Sequence, residues 1–292
     1  NAVDATMSLF KSHLEKQLKQ FKVLVSEYER VIVKNSTRKQ FVLANAPGNI
    51  KGYALAYVCR KNDILLMSSQ HGVTIEISKA HDIMQIAFDN SVSDIMFSYN
   101  SRIIDIEKST YFDKSKHYCV GMPLRLIRMR QMKRTSKSTP PIVFISTNLY
   151  HMGFSLAQKT DYGNAVYEHD IVVKVLSRLP HKVRYKTYPE DNRRYADIDP
   201  VLNDLKKFDN IELFSDKLDM RYLISEHRVL VTTGATSTLG WPVMSGKPVI
   251  FINQKENNPL TDDAYISLSK GIFVFDGDDK DFYKKLRNFI KN

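Results

Sequence analysis

Residues 229–253 read VLVTTGATSTLGWPVMSGKPVIFIN. An apolar, β-branched run, VLVTT, stops at Gly234. A small polar cluster and a helix start follow, and a second apolar run, KPVIFIN, closes the stretch. Strands buried on both faces read as continuous apolar runs, so this strand–turn–helix–strand unit predicts a parallel sheet. Gly234 permits a tight turn or the close approach of a ligand. Thr236, Ser237 and Thr238 can cap the helix and leave backbone N–H groups aimed at an anion, and the helix dipole adds to that attraction. A phosphate fits here; the plainer alternative is a capped helix start with no ligand. The stretch matches neither GxxxxGK[ST] nor GxGxxG, which argues against a P-loop or a dinucleotide site.

Working outward, the same alternation fills the second half of the chain. PIVFIST, HKVRYKTYP, NIELFS and GIFVF read as strands. GNAVYEHDIVVKVLSRLP, VLNDLKKF, DMRYLISEH and DDKDFYKKLRNFIKN read as helices. The first half repeats it with strands in KQFVLANAP, DILLMSS, SDIMFSY and HYCVGMP, and helices in NIKGYALAYVCRKN and NSRIIDIEKS. Met7, Phe10, Leu14, Leu18 and Phe21 recur at three-to-four spacing and predict an amphipathic helix over 5–21. Between the halves, LRLIRMRQMKRTSKSTPP carries six basic residues and ends in two prolines, the mark of a connection. The expected organisation is therefore α/β: a domain over 1–124, a basic linker over 125–141 and a domain over 142–292.

The 292 residues carry 43 Lys and Arg against 32 Asp and Glu, a formal net charge of +11. That balance points to an anionic partner, whether nucleic acid, a membrane surface or a phosphorylated substrate, or simply to a solvated basic surface. No run reaches the ~18 apolar residues of a membrane span. The N-terminus lacks a secretory pattern. Cys59 and Cys119 make no disulfide framework or metal spacing, so a reducing, cytoplasmic setting is expected.

In open parallel sheets ligands bind beyond the carboxyl ends of the strands. Two more strand ends carry chemistry. In VRYKTYPED, Arg184, Lys186 and Tyr188 alternate onto one face; the cations can hold a diphosphate and the phenol can stack on a base, unless this is only a polar strand edge. In SSQHG, residues 68–72, His71 offers an imidazole that can take a proton from a hydroxyl near neutral pH. Gly72 leaves room for a substrate. The alternative for a lone histidine is a structural hydrogen bond. Gln70 and Asn148 sit at strand ends as acceptor-side candidates. The acidic runs Asp262–Asp263 and DGDD at 276–279 lack EF-hand spacing, and no GxSxG is present, so neither a metal nor a serine nucleophile is expected.

In order and spacing over about residues 60–280, QHG (70–72), VGMP (120–123), YPED (188–191), the 229–252 stretch and LSKGIFVF (268–275) resemble a GT-B glycosyltransferase. The likeness is to bacterial enzymes that build capsule, lipopolysaccharide and other surface carbohydrates. It implies two Rossmann-like domains facing a cleft, the first incomplete on its acceptor side since only about four strands precede the linker. It implies His71 as general base, matching polyol-phosphate polymerases where Kdo-type transferases carry an acid. Donor phosphate would lie at Thr236, Ser237 and Thr238. Tyr188–Pro189 stands where sialyltransferase-like enzymes carry a His-Pro pair, and Gly240–Trp241 where many carry a ribose-binding Glu.

The resemblance thus implies transfer of a sugar or polyol phosphate from a nucleotide-activated donor to a surface polysaccharide, without metal. No cofactor is expected beyond that donor, with CMP- and CDP-linked sugars among the alternatives. The acceptor would be a glycan or a lipid-linked one, met at the inner face of the membrane, with Arg125, Arg128, Arg130, Lys133 and Arg134 as a peripheral contact. Two rivals stand beside it. A sugar-nucleotide epimerase of the same shape would need a pair of carboxylates. A non-catalytic basic membrane- or RNA-binding protein would use residues 125–137, but that stretch lacks interleaved aromatics and any RRM or KH signature.

Overall fold

A computed structural model describes residues 2–32, 40–79, 82–112, 114–131, 140–146, 161–188, 200–256 and 258–292. The chain divides into two compact units. Unit 1 is Asn1–His71 with Ile83–Met122, and unit 2 is Gly72–Asp82 with Pro123–Asn292.

Unit 1 opens with α1 (Ala2–Ile32), then β1 (Phe41–Asn45), α2 (Ile50–Lys61) and β2 (Leu65–Ser69). The chain then leaves for unit 2 through α3 (Thr74–Ile77) and returns with α4 (Asp82–Asn90), β3 (Ile95–Ser98), α5 (Ser101–Lys108) and β4 (Lys116–Cys119). The four strands are parallel in the order β1-β2-β3-β4. Sequential order with right-handed crossovers places the connecting helices on one face. That inner face buries Leu66 with Ala56, Cys59 and Ile64, and Val42 and Ala44 pack against them. Asn49 starts α2 by accepting bonds from Lys51 N and Gly52 N at 3.0 and 3.2 Å. Cys59 and Cys119 are both free, and burial pushes the Cys59 thiol up to about 11.

Gly52 lies so close to the preceding turn that a Cβ there would overlap the Pro47 carbonyl. Alanine is the better helix former, yet Gly52→Ala is expected to destabilise the protein by roughly 2–3 kcal/mol, because backbone must move to admit it. Urea unfolding followed by circular dichroism checks this; an unchanged midpoint would contradict the packing.

Unit 2 begins with α6 (Leu124–Met129) and continues through β5 (Ile142–Ile145), α7 (Asp161–Lys174), β6 (Val183–Lys186), α8 (Pro200–Leu205) and β7 (Ile211–Phe214). The second half adds β8 (Val229–Thr233), α9 (Ser237–Met244), β9 (Val249–Asn253), α10 (Asp262–Leu268), β10 (Phe273–Asp276) and α11 (Phe282–Lys291). Its six parallel strands run β10-β9-β8-β5-β6-β7. Counted from β5, this is the 3-2-1-4-5-6 order of the Rossmann fold. Alternate residues of each strand feed opposite layers: Phe144, Tyr185 and Ile250 pack with α7, α8 and α11, while Val143, Leu230 and Phe251 pack with α9 and α10.

Several elements differ from the sequence reading, which placed no helix at α3, α4 or α10. The first helix runs to Ile32, because Phe21, Leu24, Val25 and Tyr28 extend its stripe. DMRYLISEH forms two 3-10 turns, Met220–Tyr222 and Ile224–Glu226, instead of one helix. Lys247 Nζ donates to the carbonyls of Ile224, Ser225 (2.8 Å) and His227, which close the second turn. The boundary expected after residue 124 falls inside α6, which buries Leu126 and Met129 in unit 2; residues 132–139 of the expected linker lie outside the described residues.

Candidate functional site

The strand order of unit 2 reverses between β5 and β8, and ligands bind outside the strand ends at such a switch point. β8 ends there at Thr233, and Gly234 turns the chain with φ +72°. This is the left-handed conformation that glycine adopts without strain. Ala235 N donates to Asn258 O at 3.0 Å, which fixes the turn. Thr236 then caps α9, its hydroxyl accepting from Thr238 N at 3.4 Å. Ser237 is exposed, and Thr236 and Thr238 are half-buried. The expected cluster of three hydroxyls at a helix N-terminus therefore exists, at the switch point. Asn148 lies outside the described residues; the β5 end is represented by buried Ser146.

The segment after His71 packs on this turn within unit 2. A Cβ on Gly72 would lie 2.9 Å from Ser237 Cβ, and one on Gly240 would lie 2.9 Å from Val73 Cγ2. Two glycines thus let residues 72–73 lie against the first turns of α9. Thr261 holds the segment, its hydroxyl donating to Glu76 O and its N–H to Ile77 O, both at 2.9 Å. Gly72, expected to leave room for a substrate, lies against Ser237 instead.

His71 follows the end of β2 in unit 1. Its Nδ1 lies 2.6 Å from Asp89 Oδ1, and its backbone N–H donates to Asp89 Oδ2 at 3.3 Å. A carboxylate only accepts, so Nδ1 carries a proton, and in the neutral ring Nε2 is the basic nitrogen. The His71 side chain is 35% exposed and that of Asp89 is wholly buried. Asp89 is the penultimate residue of α4, at the carbonyl end of the helix, where the dipole disfavours an anion. Burial disfavours it again. A carboxylate set in such a place needs a strong donor, and His71 supplies two N–H groups. Sequence reasoning passed over Asp89; its only signal was a polar residue closing the apolar run IAF at 86–88. Gln70 faces inward and is 2% exposed. Its Oε1 accepts from Tyr99 N at 3.0 Å, so it ties β2 to β3 rather than lining an open surface.

Arg184 and Lys186 share a face of β6, both over the Phe214 ring. Arg184 is committed elsewhere: it meets Glu212 at 2.7 Å and Glu226 at 3.0 Å, and its side chain is only 12% exposed. Two carboxylates already match its charge. Lys186 is buried, with Nζ donating to Thr187 O at 2.6 Å and Asp216 O at 3.1 Å. Burial lowers its pKa from the usual lysine range, against the pull of Asp219 and Asp216. Tyr188 is half-buried, two residues past the end of β6. Arg125, Arg128 and Arg130 are exposed on and just after α6, with Arg125 over the Trp241 ring; Lys133 and Arg134 lie outside the described residues. No described helix is long and apolar enough to cross a membrane.

No protein-family model and no curated protein matches the chain. Solved structures do. MnaA of S. aureus, in a co-structure with UDP, aligns with TM-score 0.58 and 13% identity over 93% of this chain and 70% of that one. UDP-GlcNAc 2-epimerase of Methanocaldococcus jannaschii aligns with TM-score 0.56 and 11% identity over 94% and 75%. UGT89C1 of Arabidopsis thaliana, complexed with UDP-L-rhamnose, aligns with TM-score 0.50 and 9% identity over 94% and 69%. At these identities the likeness is one of fold: α/β, with two Rossmann-like parallel sheets of the GT-B type.

Proposed function

We propose that this chain binds a nucleotide-activated sugar and transfers the sugar, or a polyol phosphate, to an acceptor hydroxyl of a bacterial surface polysaccharide. The nucleotide half of the reading is supported by the hydroxyl-rich start of α9 at the Rossmann switch point, and by solved structures of the same fold that hold UDP or a UDP-sugar. The observation that carries transfer is the His71–Asp89 pair. Nε2 of His71 takes the acceptor proton as the acceptor oxygen bonds to the donor's reacting centre. The bond to the leaving phosphate breaks, and its electron pair goes to the phosphate oxygen. The phosphate side of the reading rests on unit 2 alone, on the Ser237 N–H and the Ser237 and Thr238 hydroxyls at the start of α9, since the Thr236 and Thr238 N–H groups donate to Gly234 O at 2.9 Å and to the Thr236 hydroxyl at 3.4 Å. Lys186 acts from behind the strand ends by holding the Thr187 and Asp216 carbonyls, and Arg184 is assigned no phosphate contact. An epimerase of the same fold would need a carboxylate free to move protons; Asp89 is buried and held by His71, which favours transfer. A lipid-linked acceptor suits the exposed Arg125, Arg128 and Arg130.

The test is nucleotide binding. CMP, CDP, UDP and GDP are screened by thermal shift, then by calorimetry. One of them is expected to raise Tm. Ser237→Ala with Thr238→Ala removes two hydroxyls, and charge-assisted bonds contribute about 1.5–3 kcal/mol each. Affinity should therefore fall at least roughly tenfold. No shift with any nucleotide, or unchanged affinity in the double variant, removes the site.

A further inference from the structure

Unit 1 leaves two apolar surfaces open, and they are of complementary kinds. The first is the outer face of its sheet. The register aligns Phe41 with Leu65, and Leu43 with Met67 and Ile95, on that face. Phe41, Leu43 and Leu65 are 66%, 63% and 47% exposed. Parallel sheets are ordinarily covered on both faces by helices. Here α2 lies on the inner face, and the outer face keeps these side chains exposed.

The second is the N-terminal half of α1. Val3, Met7, Phe10, Leu14 and Leu18 continue the stripe that Phe21, Leu24, Val25 and Tyr28 carry onto α2, and all five are exposed. α1 cannot cover its own sheet. Its C-terminal half is fixed to α2 by the edge contact of Phe21 with Tyr57 and by Lys61–Glu29 at 2.6 Å. α2 in turn lies on the inner face, through Ala56 and Cys59. A continuous helix from Ala2 to Ile32 carries residues 2–18 onward from that anchor, not round to the opposite side.

We propose that two copies of this chain pair by exchanging these surfaces, the α1 arm of each lying on the outer sheet face of the other. The exposed apolar side chains of arm and face amount to about 900 Å² per copy, close to the ~800 Å² per partner of a stable protein interface. A bilayer is the poorer occupant. The arm's polar flank mixes Asp4 and Glu15 with Lys11, Lys16 and Lys19, unlike the basic face of a lipid-surface helix, and a bilayer leaves the sheet face unexplained.

The experiment is sedimentation equilibrium of the whole chain across a wide concentration range. A dimer is expected. Leu14→Lys on the arm and Leu43→Lys on the sheet each alter an exposed side chain, so each chain should keep the wild-type circular dichroism while the dissociation constant rises roughly 30-fold or more and Tm falls only by the lost association. Phe10→Lys and Phe41→Lys stand in if either variant fails to fold. A wild-type monomer at all concentrations overturns the proposal. So does a dimer that only the arm variants weaken, which would mean arm pairing with arm. A monomer that floats with phosphatidylglycerol vesicles and is released by Leu14→Lys would overturn it too, making the arm a membrane helix.

Discussion

Turnover falls roughly 10²–10⁴-fold, the usual contribution of a positioned base, when His71 is replaced by glutamine. Nucleotide affinity and Tm stay near the wild-type values. Glutamine is the informative choice because of Asp89. That carboxylate is wholly buried and receives the His71 ring N–H at 2.6 Å. Alanine would take away the ring donor, leave only the backbone N–H of the two, and mix lost stability into lost activity. A glutamine amide can still donate to Asp89 but has no basic nitrogen to present to an acceptor. β2 is held below the site by Leu66 and Ser68, both fully buried, so the strand end does not depend on the imidazole for its position. Single-turnover release of nucleotide, with calorimetry and thermal melting on the same preparation, separates the outcomes. A folded, donor-binding His71→Gln variant with wild-type turnover would take His71 out of the reaction. A variant whose activity follows only its folded fraction would make the histidine structural.

Much of this was legible in the residues because the physics was local. Val229–Thr233 and Val249–Asn253 are continuous apolar runs, and both became interior strands. Gly234, with its positive φ, and the Thr236 cap follow from a glycine and hydroxyls placed between strand and helix. What the sequence hid depends on residues far apart along the chain. Arg184 looks like a free cation at a strand end until Glu212 and Glu226 arrive from two other segments. Gln70 looks like a polar tip until Tyr99 N turns it inward. DMRYLISEH has helical spacing yet forms two 3-10 turns, and Lys247, about 20 residues on, takes the carbonyls at their end. Gly72 reads as room for a substrate, and only the fold shows it against Ser237. Asp89 was the costliest omission, because nothing in its neighbourhood distinguishes a helix-end carboxylate in solvent from one buried beneath an imidazole.

Asp89→Asn is expected to cost roughly 10²–10⁴-fold in turnover through the tautomer of His71. With aspartate, Nδ1 must donate, so in the neutral ring the basic nitrogen is Nε2. With asparagine, the side-chain amide can donate to Nδ1 instead, and the ring proton moves to Nε2, where it blocks acceptance. Stability should move the other way. Asp89 is an anion buried at the carbonyl end of α4, a position that burial and dipole both penalise. A neutral isostere that keeps the hydrogen bonds removes those penalties, so Tm should hold or rise. Loss of activity without loss of stability is the signature of a positioning residue rather than a structural one. The double variant His71→Gln with Asp89→Asn completes the test, because residues that act as a unit are not additive. Its turnover should match that of His71→Gln alone. Losses that multiply would show Asp89 acting independently of the imidazole, and a lowered Tm in Asp89→Asn would place its role in the fold.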